Sequence, residues 1–275
     1  MLKLMVISVP AVEVELASDA LWALGVQAVE ERDVGGPTED HYVELWTSLG
    51  DDVDIVTRAA DGFPARWRWR LVEVDESVAS TWRAHAVATW VERDLVICPA
   101  WVELDAPDDA IVVRIEPAGT FGLGDHSTTM LTLRAMRRCL FPGATVLDVG
   151  CGSGVLAVAA CRLGAARAEA IDIFPAAAAV ADDNAARNGV AGRVSASTTP
   201  IGDISGHYDI VVANILAPTL IALSDDLKRV LATAGVLVIS GVLADRYDHV
   251  LEALRPLKVI ATDHLGGWAA VTLRW

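Results

Sequence analysis

Cysteines and long apolar runs are both scarce in this sequence of 275 residues. The four cysteines show no C-x-x-C spacing and no histidine partners, so neither a metal site such as zinc nor a disulfide framework is predicted. No apolar run approaches the ~18 residues of a membrane-spanning helix. The first twelve residues also make a poor signal peptide, since a lysine and two glutamates surround their apolar part. The expected setting is therefore the cytoplasm, with no membrane partner.

Positive charge is the third scarce feature, with 22 Lys and Arg against 37 Asp and Glu and a net charge of −15. A direct nucleic-acid partner is not expected, because phosphate binding requires a basic stripe. The acidic excess is concentrated in residues 1–105, which carry a net charge of −12, against −3 for residues 106–275. This distribution favours equally a solvated surface kept soluble by like charge and an acidic docking face for a basic partner.

The composition, 53% hydrophobic and 21% charged, is that of a globular protein. Residues 1–75 predict a β-α-β-β-α-β order, which is that of a small ferredoxin-like α+β domain. The elements predicted there are strands at 3–9, 26–32, 41–47 and 66–74, a helix at 11–24 and a helix that opens at Asp51 and Asp52. A helix at 77–93 is predicted to belong to a helical linker, residues 76–105.

Alternating strands and helices in residues 106–275 predict a doubly wound, mainly parallel α/β sheet that binds ligands at the carboxyl ends of its strands. Helices are predicted at 130–140, 175–187, 217–231 and 243–254. Strands are predicted at 95–98, 111–115, 168–172, 193–197, 209–213, 235–240, 257–262 and 268–274. The hairpin-like finish at Gly266 and Gly267 indicates that the last strand inserts antiparallel.

The most informative stretch is Asp148–Gly154, in which an apolar strand runs into three alternating glycines and then a helix. Alternating glycines allow a sharp turn close to a ligand, and the N-terminus of the helix favours an anionic group. Val155 stands where a dinucleotide fingerprint needs glycine, and no P-loop Gly-Lys follows. The pattern D-x-G-x-G-x-G is instead typical of S-adenosylmethionine-dependent methyltransferases, with Asp172 placed to bind ribose hydroxyls. The alternative is a tight turn without a ligand.

A second candidate site lies in Phe121–Thr129, where two glycines precede the sequence His-Ser-Thr-Thr at the start of a helix. Hydroxyls and unpaired N–H groups at a helix start can hold polar atoms of a cofactor. The alternative is an ordinary helix cap with a surface histidine, and His126 is not assigned as a base.

A third candidate is Asn214, which is predicted at the carboxyl end of a buried strand. Its amide oxygen can accept a hydrogen bond from an incoming amine, and its NH₂ can contact the cofactor. Ile215, Leu216 and Ala217 follow it, with no aromatic residue to stack on a nucleobase, which favours an aliphatic amine. The alternative is an asparagine that only ends the strand.

Taken together, Asp148–Gly154, Phe121–Thr129 and Asn214–Ala217 resemble the family of methyltransferases that modify ribosomal protein L11 of the large subunit. The resemblance covers nearly the whole chain and is weaker in the first 75 residues. It implies a seven-stranded class I methyltransferase domain, residues 106–275, after a ferredoxin-like recognition domain and a linker. It also implies trimethylation of the α-amine and of lysine ε-amines of a basic ribosomal protein.

The resemblance further implies S-adenosylmethionine as cofactor, held by Thr129, Gly150, Gly152, Asp172 and Asn214, with Asn214 also serving as the catalytic residue on the amine side. Three other functions stay open at this point. They are methylation of lysines in a different protein, methylation of a small molecule with the N-terminal domain as a lid, and cofactor binding without transfer.

Overall fold

The computed structural model describes residues 2–24, 26, 29–33, 42–48, 57–58, 60, 62–74, 86–117 and 124–275. The chain divides into two compact units, Met1–Ala86 and Val87–Trp275. No helix within the described residues is long and apolar enough to cross a lipid bilayer. The predicted division into residues 1–75, 76–105 and 106–275 stays a prediction.

The first unit contains a four-stranded antiparallel sheet with the strand order β2-β3-β1-β4. Its strands are β1 (Leu2–Pro10), β2 (Val29–Asp33), β3 (Tyr42–Ser48) and β4 (Arg68–Val74), and a short 3₁₀ turn (Ala11–Glu13) leads into helix α1 (Val14–Ala23). Alternate residues of β1, namely Met5, Ile7 and Val9, are fully buried in a core with α1. The four strands and the first helix follow the predicted β-α-β-β-α-β order. Of the helix predicted to open at residues 51–52, only residues 57–58 and 60 are described, and they are helical.

The second unit begins with a small sheet in which β5 (Thr89–Glu92), β6 (Leu95–Pro99) and β7 (Ile111–Ile115) are neighbours. The helix predicted for residues 77–93 is wrong in its described part, because β5 forms an antiparallel hairpin with β6. All five residues of β6 are buried, so its backbone groups need partners on both edges, and β5 and β7 provide them. Residues 77–85 of the predicted helix lie outside the described part of the chain.

The main sheet has seven strands in the order β10-β9-β8-β11-β12-β14-β13. These strands are β8 (Thr145–Val149), β9 (Arg167–Ile171), β10 (Val194–Ser197), β11 (Tyr208–Asn214), β12 (Leu231–Leu243), β13 (Lys258–Leu265) and β14 (Trp268–Arg274). The first five in spatial order are parallel, and β14 lies antiparallel between β12 and β13. The predicted doubly wound sheet and the antiparallel insertion of the last strand are both confirmed.

Helices cover both faces of this sheet. On one face lie α2 (Ser127–Cys139), α3 (Val155–Arg162) and α4 (Pro175–Arg187), and on the other lie α5 (Ala217–Ala222), α6 (Ser224–Arg229) and α7 (Asp248–Ala253). The side chains of β8 alternate accordingly, since Val146 belongs to one core and Leu147 to the other. A parallel sheet buried on both faces explains the nearly continuous apolar runs of its strands.

The single helix predicted for residues 217–231 is wrong, since it is interrupted at Leu223. Leu223 has φ −94° and ψ 4°, so it ends α5 and begins α6. The sequence Ser224-Asp225-Asp226 puts acidic side chains in the first turn of α6, where the helix dipole favours them. Two short helices therefore stand where one helix was expected.

Candidate functional site

The glycine turn, defined as residues Gly150–Gly154, connects β8 to α3 through a left-handed backbone. Its three glycines have φ values of 73°, 51° and 74°, which side chains rarely tolerate. The N–H groups of Gly150 and Cys151 donate to the carbonyl of Ile171 at the end of β9, at 2.8 and 3.1 Å. The turn is thus tied to the neighbouring strand before any ligand arrives.

Close packing also requires glycine at both ends of this turn. A Cβ placed on Gly150 would lie 2.4 Å from Cγ2 of Ile215, and one on Gly154 would lie 2.6 Å from Cβ of Ala181 in α4. Real Cβ atoms do not approach so closely. Gly150 and Gly154 are therefore required by the packing of Ile215 and Ala181 as well as by the sharp turn.

Asp172 follows β9 and accepts two backbone hydrogen bonds. Its Oδ2 accepts from the N–H of Gly152 at 2.9 Å, and its Oδ1 accepts from the N–H of Phe174 at 3.0 Å. The carboxylate is half-buried, and each oxygen has a further lone pair that can accept a hydroxyl. Its fixed orientation beside the glycine turn suits the predicted contact with ribose.

Asp148 is a residue whose burial the sequence did not reveal. It is fully buried, Oδ2 accepts the N–H of Ala157 at 3.1 Å, and Oδ1 has no hydrogen-bond partner among the described residues. Burial raises the pKa of this carboxyl to about 7, with the negative charge of Asp172 adding to the effect. The only signal in the sequence was its place as the acidic residue of the D-x-G-x-G-x-G motif.

At the start of α2, His126 serves as the helix cap. The N–H of Thr128 donates to Nδ1 of His126 at 3.3 Å, and the imidazole lies edge-on to the Trp268 ring with centroids 5.4 Å apart. Burial lowers the pKa of His126, against the opposing charge of Asp125, which favours the neutral ring that a cap requires. His126 therefore caps the helix but is half-buried and not a surface residue, and residues 121–123 of this stretch lie outside the described residues.

Thr129, in the first turn of α2, is 1% exposed, and its Oγ1 has no hydrogen-bond partner within the described part of the chain. Buried hydroxyls are normally paired, so this one is available to a polar group of a ligand. The observation agrees with the predicted cofactor contact of Thr129.

Three of the predicted residues are brought together by strand register. Ile171, Val149 and Ala213 lie in one row across the adjacent strands β9, β8 and β11. Asp172, Gly150 and Asn214 each follow that row by one residue, at the carboxyl edge of strands spaced about 4.8 Å apart. Residues far apart in the sequence thus meet at one edge of the sheet, as expected for a doubly wound sheet.

Asn214 differs from the other two in its surroundings. It is half-buried, and its side-chain amide makes no hydrogen bond to any described residue. Helix α2, which carries Thr129, packs against β11, the strand that ends in Asn214, and against the neighbouring strand β12. The amide of Asn214 is available to a ligand on this edge.

These residues fit S-adenosylmethionine on structural grounds. The buried Oγ1 of Thr129 and Oδ1 of Asp148 both lack partners among the described residues, and Asp172 retains lone pairs beside the turn. A cofactor that carries a ribose, a carboxylate and an ammonium group offers complementary atoms for such a set.

Comparisons with known proteins identify the family of this chain. The family model of ribosomal protein L11 methyltransferase (PrmA) matches residues 5–275. The chain is 41% identical over 270 residues to the ribosomal protein L11 methyltransferase of Geobacter sulfurreducens, an alignment covering 95% of this chain and 89% of that protein. It is 41% identical over 203 residues to that of Pelotomaculum thermopropionicum, covering 73% of this chain and 66% of the relative.

Among solved structures, the ribosomal protein L11 methylase of Lactobacillus delbrueckii subsp. bulgaricus superposes with a TM-score of 0.64 and 31% identity. The superposition covers 68% of this chain and 98% of that one. The family model spans both compact units and includes the glycine turn, Asp172 and Asn214. This chain therefore belongs to the ribosomal protein L11 methyltransferase family.

Proposed function

We propose that this protein transfers methyl groups from S-adenosylmethionine to amino groups of ribosomal protein L11, namely its N-terminal α-amine and lysine ε-amines. The observation that carries the proposal is the row formed by Asp172, Gly150 and Asn214 at the carboxyl edge of three adjacent strands. Asp172 and Gly150 belong to the cofactor side. Asn214 presents a side-chain amide that makes no hydrogen bond to the described residues. The relatives that share this architecture are named ribosomal protein L11 methyltransferases.

The cofactor would be held by Thr129, Gly150, Gly152, Asp172 and Asn214. Asp172 would accept the ribose hydroxyls, and the N-terminal end of α3 would favour the negatively charged carboxylate of the methionine part. The buried hydroxyl of Thr129 would pair with a polar atom of the same ligand. When bound, the cofactor supplies a methyl group on a positively charged sulfur, which a nucleophile displaces in line.

Asn214 is the catalytic residue of the proposal because it faces the amine. Its amide oxygen accepts a hydrogen bond from the incoming amine and directs the nitrogen lone pair toward the methyl group, so its main contribution is orientation. A free lysine has a pKa of about 10.4 and arrives as an ammonium. An apolar mouth beside a cation disfavours that charged form, so the amine loses its proton to water without a dedicated base.

The N-terminal portion supplies the docking surface of the proposal. Residues 1–105 carry a net charge of −12, which complements a basic protein, and residues 1–75 form the recognition domain of the proposed division. Salt weakens the attraction between exposed charges, and the Debye length is about 10 Å in 0.1 M salt. We therefore expect added salt to raise the KM for L11 while the affinity for S-adenosylhomocysteine changes little. The same acidic charge gives no reason for direct contact with nucleic acid.

The test is to incubate the purified protein with S-adenosylmethionine labelled in the methyl group and with purified L11, and to follow the mass of L11. Successive methyl additions to L11 are expected, with peptide mapping to the N-terminus and to lysines. Labelling of another basic protein, or of a small molecule, in a cell lysate while L11 stays unlabelled would favour those alternatives. Tight binding of S-adenosylhomocysteine with no transfer to any acceptor would favour a binding module.

A further inference from the structure

Two asparagines one turn apart at the end of α4, Asn184 and Asn188, are buried against β7 and the residue that follows it. Asn184 is 0% exposed and Asn188 is 8% exposed. Each uses its amide oxygen and both N–H groups on main-chain partners. Buried amides are normally paired, so the informative feature is which parts of the chain they join.

Both side chains continue the small sheet at the free edge of β7. The Oδ1 of Asn188 accepts from the N–H of Arg114 at 2.8 Å, and its Nδ2 donates to the carbonyl of Arg114 at 2.7 Å. Asn184 makes the same pair of bonds to Glu116, at 2.9 Å each. Alternate residues of a strand present both backbone groups to one side, so the two amides occupy the place of a neighbouring strand.

Asn184 and Asn188 differ in the acceptor of the second N–H of their side-chain amides. That of Asn184 donates to the carbonyl of Ser153 in the glycine turn at 2.9 Å, whereas that of Asn188 donates to the carbonyl of Asn184 within its own helix at 2.8 Å. Ala181, on the same face of α4, is the residue that forbids a Cβ on Gly154. One face of α4 thus contacts the glycine turn directly, and Asn184 is the polar link.

We propose that Asn184 is a positioning residue for cofactor binding. Its single amide joins the main chain at Glu116, one residue past β7, to the glycine turn at Ser153. The glycine turn is thereby held in place before the ligand arrives, which lowers the entropy lost on binding. The inference rests on the proposed function, because it assumes that the cofactor lies between the glycine turn and Thr129.

The experiment compares Asn184→Ala with the matched control Asn188→Ala. Both remove a buried amide that pairs with β7, and only the first releases the glycine turn. By calorimetry, the Kd for S-adenosylhomocysteine is expected to rise about tenfold in Asn184→Ala, equivalent to ~1.4 kcal/mol, and to stay within about twofold in Asn188→Ala. The KM for S-adenosylmethionine rises with it, while kcat at saturating cofactor changes much less.

Thermal unfolding of both variants separates positioning from general stability. If Asn184→Ala does not yield folded protein, Asn184→Ser is compared with Asn188→Ala instead, by the same measurement of the Kd for S-adenosylhomocysteine. Serine retains a hydroxyl donor and leaves a smaller void than alanine. Equal losses of affinity in the two positions, or a lower kcat with unchanged Kd, would overturn the inference. A wild-type protein that fails to bind S-adenosylhomocysteine would instead reject the proposed function.

Discussion

The adjacent strands β8 and β11 end in turns of opposite character. After β8, the glycine turn is held by hydrogen bonds to Ile171 and Asp172 and by packing against α4. At the end of β11, Asn214 has no side-chain hydrogen bond to the described residues, and α5 begins at Ala217 without a side-chain cap. The first turn is fully formed by the protein itself, while the second leaves a polar group for a ligand.

This difference matches the two partners of a transfer reaction. A cofactor that is the same in every cycle is best met by a rigid, preorganised surface. An amine that arrives on different lysines and on an N-terminus needs a contact that is not already used. Gly150 packs directly against Ile215, so the rigid turn also supports the open one.

The largest expected effect comes from breaking the rigid side with Gly154→Ala. The new Cβ would lie 2.9 Å from the backbone Cα of Ala181, which cannot move without shifting α4. We expect the free energy of unfolding to fall by roughly 3–5 kcal/mol, measured by urea denaturation. Gly143→Ala is the control, since Gly143 has φ +91° with nothing within 4 Å of a Cβ, and it should lose only about 1–2 kcal/mol. Equal losses would show that the close approach to α4 does not matter.

On the open side, Asn214→Ala is expected to lower kcat about 100-fold, because a misplaced nucleophile loses its alignment. The Kd for S-adenosylhomocysteine should change much less, since the rigid turn is intact. Steady-state kinetics and calorimetry measure the two quantities. Asn214→Asp keeps an acceptor oxygen and should retain more activity than the alanine variant. Full activity in both variants would remove Asn214 from the mechanism.

In contrast to Asn214→Ala, Asp172→Ala should weaken cofactor affinity more than it lowers kcat. It removes the ribose acceptor and leaves the N–H groups of Gly152 and Phe174 without their present partner. Loss of charged hydrogen bonds predicts a Kd for S-adenosylhomocysteine raised about 30-fold, with a smaller effect on kcat at saturating cofactor. If Asp172→Ala and Asn214→Ala both had negligible effects, the proposed site would be rejected.

The smallest effect concerns Asp148, buried beside the rigid turn, and its pH dependence. Its folded-state pKa is raised from 3.8 to about 7, so between these values the folded protein keeps a proton that the unfolded chain has released. Stability therefore falls as pH rises through this window, and the contribution levels off above about 7. We expect a loss of about 1 kcal/mol between pH 5.5 and 6.5 that is absent in Asp148→Asn. If the free energy of unfolding changed by the same amount between pH 5.5 and 6.5 in the wild type and in Asp148→Asn, the buried, protonated carboxyl would be contradicted.

Elements with a strong local pattern were predictable from the sequence. The helix at 175–187 is α4 with the same bounds, and the strands β6, β7 and β14 lie within one residue of their predicted positions. The glycine spacing and Asp172 predicted the cofactor edge for the same reason, because turn geometry and strand-end position are written into a few neighbouring residues. The roles of Thr129, Gly150, Gly152, Asp172 and Asn214 stay predictions until the variants are measured.

Errors arose where distant parts of the chain decide the structure. The apolar residues before β6 permit a helix, yet Thr89–Glu92 is a strand because β6 needs a partner on that edge. The break at Leu223 likewise divides a stretch whose local pattern predicts one continuous helix.

The amino-acid sequence by itself determined the strands of the main sheet, the glycine turn and the kind of ligand that this turn accepts, because hydrophobic period and backbone freedom are local properties. Tertiary structure alone decided that Asp148 is buried with an unpaired oxygen among the described residues. It also decided that Asn184 joins β7 to Ser153, and that Asp172, Gly150 and Asn214 lie side by side. Burial and strand register are set by neighbours tens of residues away, and no local pattern records them.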